Sequence, residues 1–178
     1  MNDISNYLTN NQSRKPIYIR RLIHSSADAV WNIISLPGNL EKCHPFCEKN
    51  PVHIWPGDSA RDEIHYLNGS VFTRKFVRWI DNVGYDLFIS KIGGKESFVS
   101  WRIEPAHNEQ CYLSIRIYLY KLQNIPKGFR WIANLLYIRP MLKKYLLSVV
   151  GGFEYHLQTG QPVLNNHFGS HSWFSINI

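Results

Sequence analysis

Residues 131–157, WIANLLYIRPMLKKYLLSVVGGFEYHL, decide the fold of this chain. Apolar side chains recur there at steps of three and four, at Trp131, Leu135, Ile138, Leu142, Leu146, Val149, Phe153 and Leu157. This spacing predicts one long amphipathic helix that begins near Gly128 and ends at Thr159-Gly160. Pro140 has no backbone N–H and crowds the preceding turn, so we expect it to bend or split the helix near Tyr137.

Strand-like segments separated by turn signals precede this helix. Asn68-Gly69 and Gly93-Gly94 are typical of hairpin turns, and the spacing of the segments is that of consecutive antiparallel strands. In residues 111–120, apolar and polar side chains alternate, which predicts a strand with one buried face. The predicted strands cover residues 17–23, 52–55, 62–67, 71–80, 85–92, 97–103 and 111–120.

Two short helices are predicted after the first strand. Ser26 is a suitable N-cap, and Val30 and Ile34 share one face of the helix that follows it. The second short helix covers residues 39–43 and ends before Pro45. The order of elements predicts an α+β fold, in which a curved antiparallel sheet of about seven strands wraps around the long C-terminal helix.

Length and composition set the domain organisation. The chain has 178 residues, of which 44% are hydrophobic and 19% charged, which suits one packed domain. We assign residues 1–15 to a polar N-terminal arm, 16–163 to the domain and 164–178 to a C-terminal tail. The formal net charge of +7 favours anionic partners, although the charges are scattered along the chain.

The cysteines and the N-terminus indicate the compartment. Three cysteines without a framework argue against a disulfide-stabilised domain. Residues 1–11 are polar and lack the apolar core of a signal peptide. Charges and a proline interrupt the most apolar stretch, residues 131–150, which argues against a membrane span. We expect a cytoplasmic protein.

Three parts of the sequence resemble one superfamily. Residues 25–31, SSADAVW, are similar to the start of the first helix in the START-related superfamily (SRPBCC), which includes polyketide cyclases and the birch-pollen allergen. The series of strands is similar to that of the family, and residues 149–163, VVGGFEYHLQTGQPV, resemble the end of its long helix. The resemblance covers about residues 17–163.

This resemblance implies a helix-grip fold with a cavity between sheet and helix. Family members carry or act on lipids, sterols, hormones or polyketides there, some bind quinones, and a related branch acts on the ribosome. We therefore predict binding or transport of a hydrophobic small molecule such as a lipid, a polyketide or a quinone-like compound. The residues that we expect to contact it are His44, Phe46, Trp55, Tyr66, Phe88, Trp101, Ile115 and Leu142.

The alternative is an enzyme of the polyketide cyclase/dehydrase or hydrolase kind. Glu63 and His65 share one face of a predicted strand and could hold a general base and its partner. Arg74 on the next strand could pair with Glu63. The competing interpretation places Glu63 and His65 in solvent, because charged side chains seldom face an interior unpaired.

Other partners follow from single features. Cys43, His44 and Cys47 are metal-ligand types, but a second half-site is missing, so we expect no metal and no cofactor. Arg139, Lys143 and neighbouring aromatic residues could contact an anionic membrane. A factor associated with RNA or the ribosome is a further alternative, supported by the net charge. The sequence does not indicate an oligomeric state.

Overall fold

The computed structural model describes residues 15–120 and 134–176. Its helices are α1 (Ala27–Ile34), α2 (Leu40–Cys43) and α3 (Arg139–Thr159). Its strands are β1 (Ile17–Ile23), β2 (Cys47–Lys49), β3 (Val52–Ile54), β4 (Arg61–Tyr66), β5 (Val71–Ile80), β6 (Gly84–Lys91), β7 (Ser97–Pro105) and β8 (Cys111–Tyr118). The predicted arm, apart from Lys15, lies outside the described residues.

The strands form one curved antiparallel sheet, and α3 lies across its concave face. The strand order is β1-β8-β7-β6-β5-β4-β2, with β3 also paired to β4. Ile17 pairs with Ile117, so the first strand closes beside β8. This arrangement confirms the predicted α+β helix-grip fold. The described residues contain eight strands rather than about seven, because the chain after α2 adds the three-residue strand β2.

The long helix breaks where Pro140 predicts. A π-helical turn, Asn134–Ile138, comes first, and α3 begins at Arg139 with Pro140 in its first turn. Proline suits that position, because the first N–H groups of a helix have no partner within it. Gly160 ends α3 in the left-handed conformation with φ 69°. The predicted beginning near Gly128 lies outside the described residues. No helix of residues 15–120 and 134–176 is long and apolar enough to cross a membrane.

A bulge in β5 explains why its sequence alternation is mixed. The pairing with β6 shifts between Phe76 and Arg78. Before the shift, Arg74 and Phe76 are buried, whereas Arg78 after it is exposed. Trp79 then takes the inward position and stacks on Tyr85 with ring centroids 5.5 Å apart. The bulge therefore moves the inward-facing side chains from even to odd positions.

The two short helices form as predicted. Ser26 caps α1, and its side chain accepts a hydrogen bond of 3.2 Å from the Ala29 N–H. Val30 and Ile34 on α1 are buried. The helix α2 then passes close to α3, where it meets Gly152. Any side chain at Gly152 would collide with the α2 backbone, so the helices can pack this closely only over a glycine.

Residues 163–176 fold back onto the domain. The Val163 N–H donates to the Lys42 carbonyl and the Asn166 N–H to the Pro45 carbonyl, both at 2.8 Å. His171 is buried, and its Nε2 lies 3.0 Å from the Met141 carbonyl oxygen on α3. Phe174 is also buried. The segment assigned to a tail is therefore packed against the domain as far as Ser175, which is buried.

Candidate ligand cavity

A cavity of about 610 Å³ lies between the concave face of the sheet and α3. Most of its lining is apolar and comes from β4 to β8, α3 and residues 173–174. The apolar lining side chains are Leu40, Ile64, Phe72, Leu87, Ile89, Val99, Trp101, Ile115, Ile117, Leu119, Ile138, Leu142, Leu146, Val149, Trp173 and Phe174. This volume lies within the range of pockets that bind small organic molecules.

Besides Ser97, four buried polar side chains interrupt this apolar lining. They are His44, Tyr66, Arg74 and Tyr145, which we call the polar cluster. His44 Nε2 lies 2.9 Å from the Tyr145 hydroxyl, and that hydroxyl lies 2.8 Å from the hydroxyl of Tyr66. The three side chains therefore form one continuous chain of hydrogen bonds. Burial raises the pKa of both tyrosines, so they stay protonated.

The protonation state of His44 follows from its two contacts. Its Nδ1 accepts a hydrogen bond of 3.2 Å from the Phe46 N–H, so this nitrogen carries no proton. Its one ring proton is then on Nε2, which donates to the Tyr145 hydroxyl. Burial, together with the charge of Arg74, lowers the pKa of His44 to about 3. His44 is therefore neutral at physiological pH.

The charge of Arg74 is balanced behind the cavity wall. Its Nε donates to Asp62 Oδ1 at 2.7 Å, and its Nη2 donates to Asp62 Oδ2. Asn50 Nδ2 donates to the same carboxylate at 3.0 Å. These bonds leave Arg74 Nη1 outside the pairing. The Asp62 side chain is fully buried and is not part of the lining, so Arg74 is the member of the pair that lines the cavity, and the pair has no net charge.

The exposed members of the lining mark the mouth of the cavity. They are Lys91, Gly94, Lys95, Tyr120 and Tyr137. Trp173 Nε1 donates to the Tyr137 hydroxyl at 3.3 Å, which joins the folded-back segment to the π-helical turn. The mouth is thus framed by the β6–β7 turn, the end of β8 and the turn that precedes α3.

Five of the predicted ligand-contact residues line this cavity, namely His44, Tyr66, Trp101, Ile115 and Leu142. Arg74, predicted as a catalytic candidate, also lines it. Trp101 packs edge-on against Phe153 of α3 with ring centroids 5.5 Å apart. The sequence alternation of β7 and β8 was sufficient to place Trp101 and Ile115 on the inward face.

Phe46, Trp55 and Phe88 are not part of the lining. Phe46 is stacked behind Tyr145 at 5.9 Å. Trp55 packs edge-on against Phe76, and its Nε1 donates to the Ser35 carbonyl at 2.9 Å, so it fills the core beside α1. Phe88 alternates with the lining residues of β6 and lies on the outer face of the sheet. Their aromatic character alone did not distinguish core from cavity.

The structure places Glu63 and His65 outside the cavity. Both lie on the outer face of β4, half-buried, where Glu63 Oε2 is 2.9 Å from His65 Nε2. His53 Nε2 on β3 is 3.3 Å from Glu63 Oε1. The hydrogen bond with His65, supported by the one with His53, lowers the pKa of Glu63. Arg74 pairs with Asp62 rather than with Glu63, because Asp62 and Arg74 face inward together.

The cysteine segment is part of the core. Cys43 and Cys47 are buried free thiols, and burial raises the pKa of each to about 12. His44 between them is engaged with Tyr145. Within residues 15–120 and 134–176, no group of three or more His, Cys, Asp or Glu side chains could hold a metal ion.

Sequence reasoning missed Tyr145, Trp173 and Phe174 as lining residues. Tyr145 is not part of the predicted apolar stripe, but it is three positions from Leu142 and therefore shares the inward face of α3. Phe174 stacks on Tyr66 with ring centroids 4.3 Å apart, and Trp173 lies beside it. No local periodicity indicates that these two aromatic residues return to the sheet.

Comparison with known proteins supports the fold. No protein-family model and no curated protein matches the chain. Solved structures do, and the first is DynU16, a protein of the dynemicin biosynthetic locus, with a TM-score of 0.64 and 17% identity over 84% of this chain and 49% of that chain. The chain thus spans about half the length of DynU16.

Two further structures are matched over nearly their whole length. A START superfamily protein from Mycobacterium smegmatis has a TM-score of 0.62 and 12% identity, over 82% of this chain and 99% of that one. Norcoclaurine synthase from Thalictrum flavum has a TM-score of 0.58 and 17% identity, over 82% of this chain and 93% of the synthase chain. These comparisons confirm the helix-grip fold that the sequence resemblance implies.

Proposed function

We propose that this protein binds a hydrophobic small molecule in the cavity and acts as a binder or carrier of it. The supporting observation is the cavity itself, which has a volume of about 610 Å³, a mainly apolar wall and an open mouth. Removal of apolar ligand surface from water into such a site is favourable by about 25 cal/mol per Å². His44, Tyr66, Trp101, Ile115 and Leu142 are the proposed contacts.

A cavity-filling variant tests this proposal. The fluorescent probe 1-anilinonaphthalene-8-sulfonate is titrated into the protein and then displaced by naphthalene derivatives. Leu142→Trp places a larger side chain in the cavity, and we expect it to weaken binding of the probe at least tenfold. Leu147→Trp is the matched control, because Leu147 is an exposed residue of the same helix. Equal affinities of the two variants would contradict the proposal.

A second candidate function is an enzyme that acts on the bound molecule. The observation in its favour is the chain from His44 through Tyr145 to Tyr66, which could stabilise charge on a substrate oxygen. One protein of the same fold is a synthase by name. Glu63 and His65 do not support this candidate, since they lie outside the cavity. Recovery of the bound molecule chemically unchanged, as judged by mass spectrometry, would argue against it.

We also propose a peripheral contact between the mouth and an anionic membrane. Leu135, Leu136 and Tyr137 are consecutive exposed apolar side chains at the turn before α3, and Lys91 is an exposed cation of the same mouth. Arg139 of α3 gives the membrane contact less support, because its guanidinium is already engaged within the chain. It donates to the Lys15 and Pro16 carbonyls, both at 2.8 Å.

Association with RNA or the ribosome is supported only by the net charge of +7. Several cations are already paired within the chain, among them Arg21 with Glu154 and Arg102 with Asp86. A cytoplasmic location is proposed on the basis of Cys43, Cys47 and Cys111, which are all free thiols.

A further inference from the structure

The hydrogens of the polar cluster determine what the buried part of the cavity offers to a ligand. His44, Tyr145 and Tyr66 carry one side-chain hydrogen each when the imidazole is neutral. His44 Nδ1 accepts a hydrogen bond from the Phe46 N–H, so the ring hydrogen is on Nε2. Nε2 then donates to the Tyr145 hydroxyl. Two contacts link the three groups, and one hydrogen is left over.

The order of donation places that hydrogen on Tyr66. Tyr145 Oη accepts from His44, and its own hydrogen is then directed to Tyr66 Oη at 2.8 Å. Tyr66 accepts this bond and keeps its own O–H for a further partner. Tyr66 lines the cavity, so a bound molecule is within reach of this donor.

Arg74 adds to the same polarity. Its guanidinium has hydrogen-bond donors and no acceptor, and Arg74 lines the cavity while its carboxylate partner Asp62 is outside the lining. The hydrogen-bonding groups of the polar cluster that remain for a ligand are therefore donors. The pairing of Arg74 with Asp62 also removes the net charge that would favour an ionised ligand group, which is costly to bury.

We infer that the cavity selects apolar molecules that carry a neutral hydrogen-bond acceptor, such as a ketone carbonyl, directed at the Tyr66 hydroxyl. This inference rests on the proposed ligand-binding function and specifies the chemistry of the ligand. A hydrocarbon leaves the Tyr66 hydrogen without a partner. An alcohol brings a hydrogen of its own, for which the cluster has no free acceptor.

Matched naphthalenes test the inference. Displacement of 1-anilinonaphthalene-8-sulfonate is measured with 2-acetylnaphthalene, with 2-isopropenylnaphthalene, in which a CH₂ group replaces the carbonyl oxygen, and with 1-(2-naphthyl)ethanol. We expect Tyr66→Phe to weaken binding of the ketone about five- to tenfold and to leave the alkene unchanged. Tyr18→Phe, which removes an exposed hydroxyl on β1 outside the cavity lining, is the control and should change neither affinity.

Tyr145→Phe gives a second readout that a merely structural role would not produce. Without the Tyr145 hydrogen, the Tyr66 oxygen becomes free to accept, so the affinity of the alcohol should rise relative to that of the ketone. The inference is overturned if Tyr66→Phe weakens ketone and alkene equally, or if Tyr145→Phe leaves the alcohol-to-ketone ratio unchanged. If none of the three naphthalenes displaces the probe from the wild type, the proposed function fails instead.

Discussion

A Cβ atom at Gly152 of α3 would lie 2.0 Å from the carbonyl oxygen of Cys43, the last residue of α2. Because that neighbour is backbone, Gly152→Ala must separate the two helices, and we expect it to lower the free energy of unfolding by about 1–3 kcal/mol. Urea denaturation provides the measurement.

Gly151→Ala is the matched control. Its Cβ would meet the end of the Phe168 side chain at 3.1 Å, which can move. The gain in helix propensity is the same at both positions, about 1 kcal/mol. We therefore expect Gly151→Ala to be at least as stable as the wild type, and equal destabilisation by both substitutions would contradict the packing argument.

The buried pair of Asp62 and Arg74 should be far more sensitive to loss of one partner than to loss of both. Asp62→Asn leaves the guanidinium without its counter-charge and should cost about 3–5 kcal/mol of stability. Asp62→Leu combined with Arg74→Met removes both charges and should be closer to the wild type than Asp62→Asn. Thermal and urea unfolding of the variants measure this, and a double variant less stable than Asp62→Asn would refute it.

His44 should make stability depend on pH. Its pKa is about 3 in the folded protein, against about 6.5 in an unfolded chain, so the unfolded state binds more protons between these values. The contribution is complete above pH 6.5 and is lost as pH falls, at about 1.4 kcal/mol per pH unit. From pH 6.5 to 5, the loss due to His44 should therefore be about 2 kcal/mol. Urea denaturation at the two pH values measures it.

His44→Gln is the control for this pH dependence, since glutamine does not titrate. The difference between wild type and variant in the pH 6.5-to-5 loss isolates His44 from the other groups of the chain. Identical pH profiles for the two proteins would show that His44 is not neutral and buried as described.

Phe174 should stabilise the fold although it lies beyond the last helix. It is buried and stacks on Tyr66, so Phe174→Ala should cost about 3–5 kcal/mol. Ile176→Ala, which changes an exposed side chain of the same segment, should be nearly neutral. Similar unfolding midpoints for Phe174→Ala and the wild type would mean that the segment does not pack on the sheet in solution.

Membrane contact at the mouth makes a separate prediction. Leu136→Asp should reduce sedimentation with vesicles of phosphatidylcholine and phosphatidylserine, because it puts a charge on the exposed apolar turn. Leu164→Asp is the control, since Leu164 is equally exposed but lies beyond the other end of α3. Binding that is unaffected by Leu136→Asp, or equally reduced by both changes, would rule out this docking surface.

Periodic features of the sequence predicted most of the fold. The steps of three and four predicted α3, Pro140 predicted the break that precedes it, and Gly160 predicted its end. The alternation in residues 111–120 predicted the inward face of β8. These features are local, since helix and strand periods act within a few residues. The bulge in β5 was hidden because the sequence does not show at which residue the pairing with β6 shifts.

The candidate site was less accessible to sequence reasoning. Whether an aromatic side chain fills the core, as Trp55 does, or lines a cavity, as Trp101 does, depends on space left by residues distant in sequence. The contact of Tyr145 with His44 joins positions separated by 101 residues, and no motif signals it. Tertiary packing alone determines such contacts.

The position of Phe174 in the chain sets an order for folding during synthesis. Tyr66 is translated well before Phe174, so the part of the sheet that Phe174 covers stays uncovered by it until residues 166–175 have left the ribosome. Exposed apolar surface of this kind promotes aggregation of incomplete chains. Under the proposed function, a ligand in the adjoining cavity would bind only the folded chain and would therefore favour productive folding.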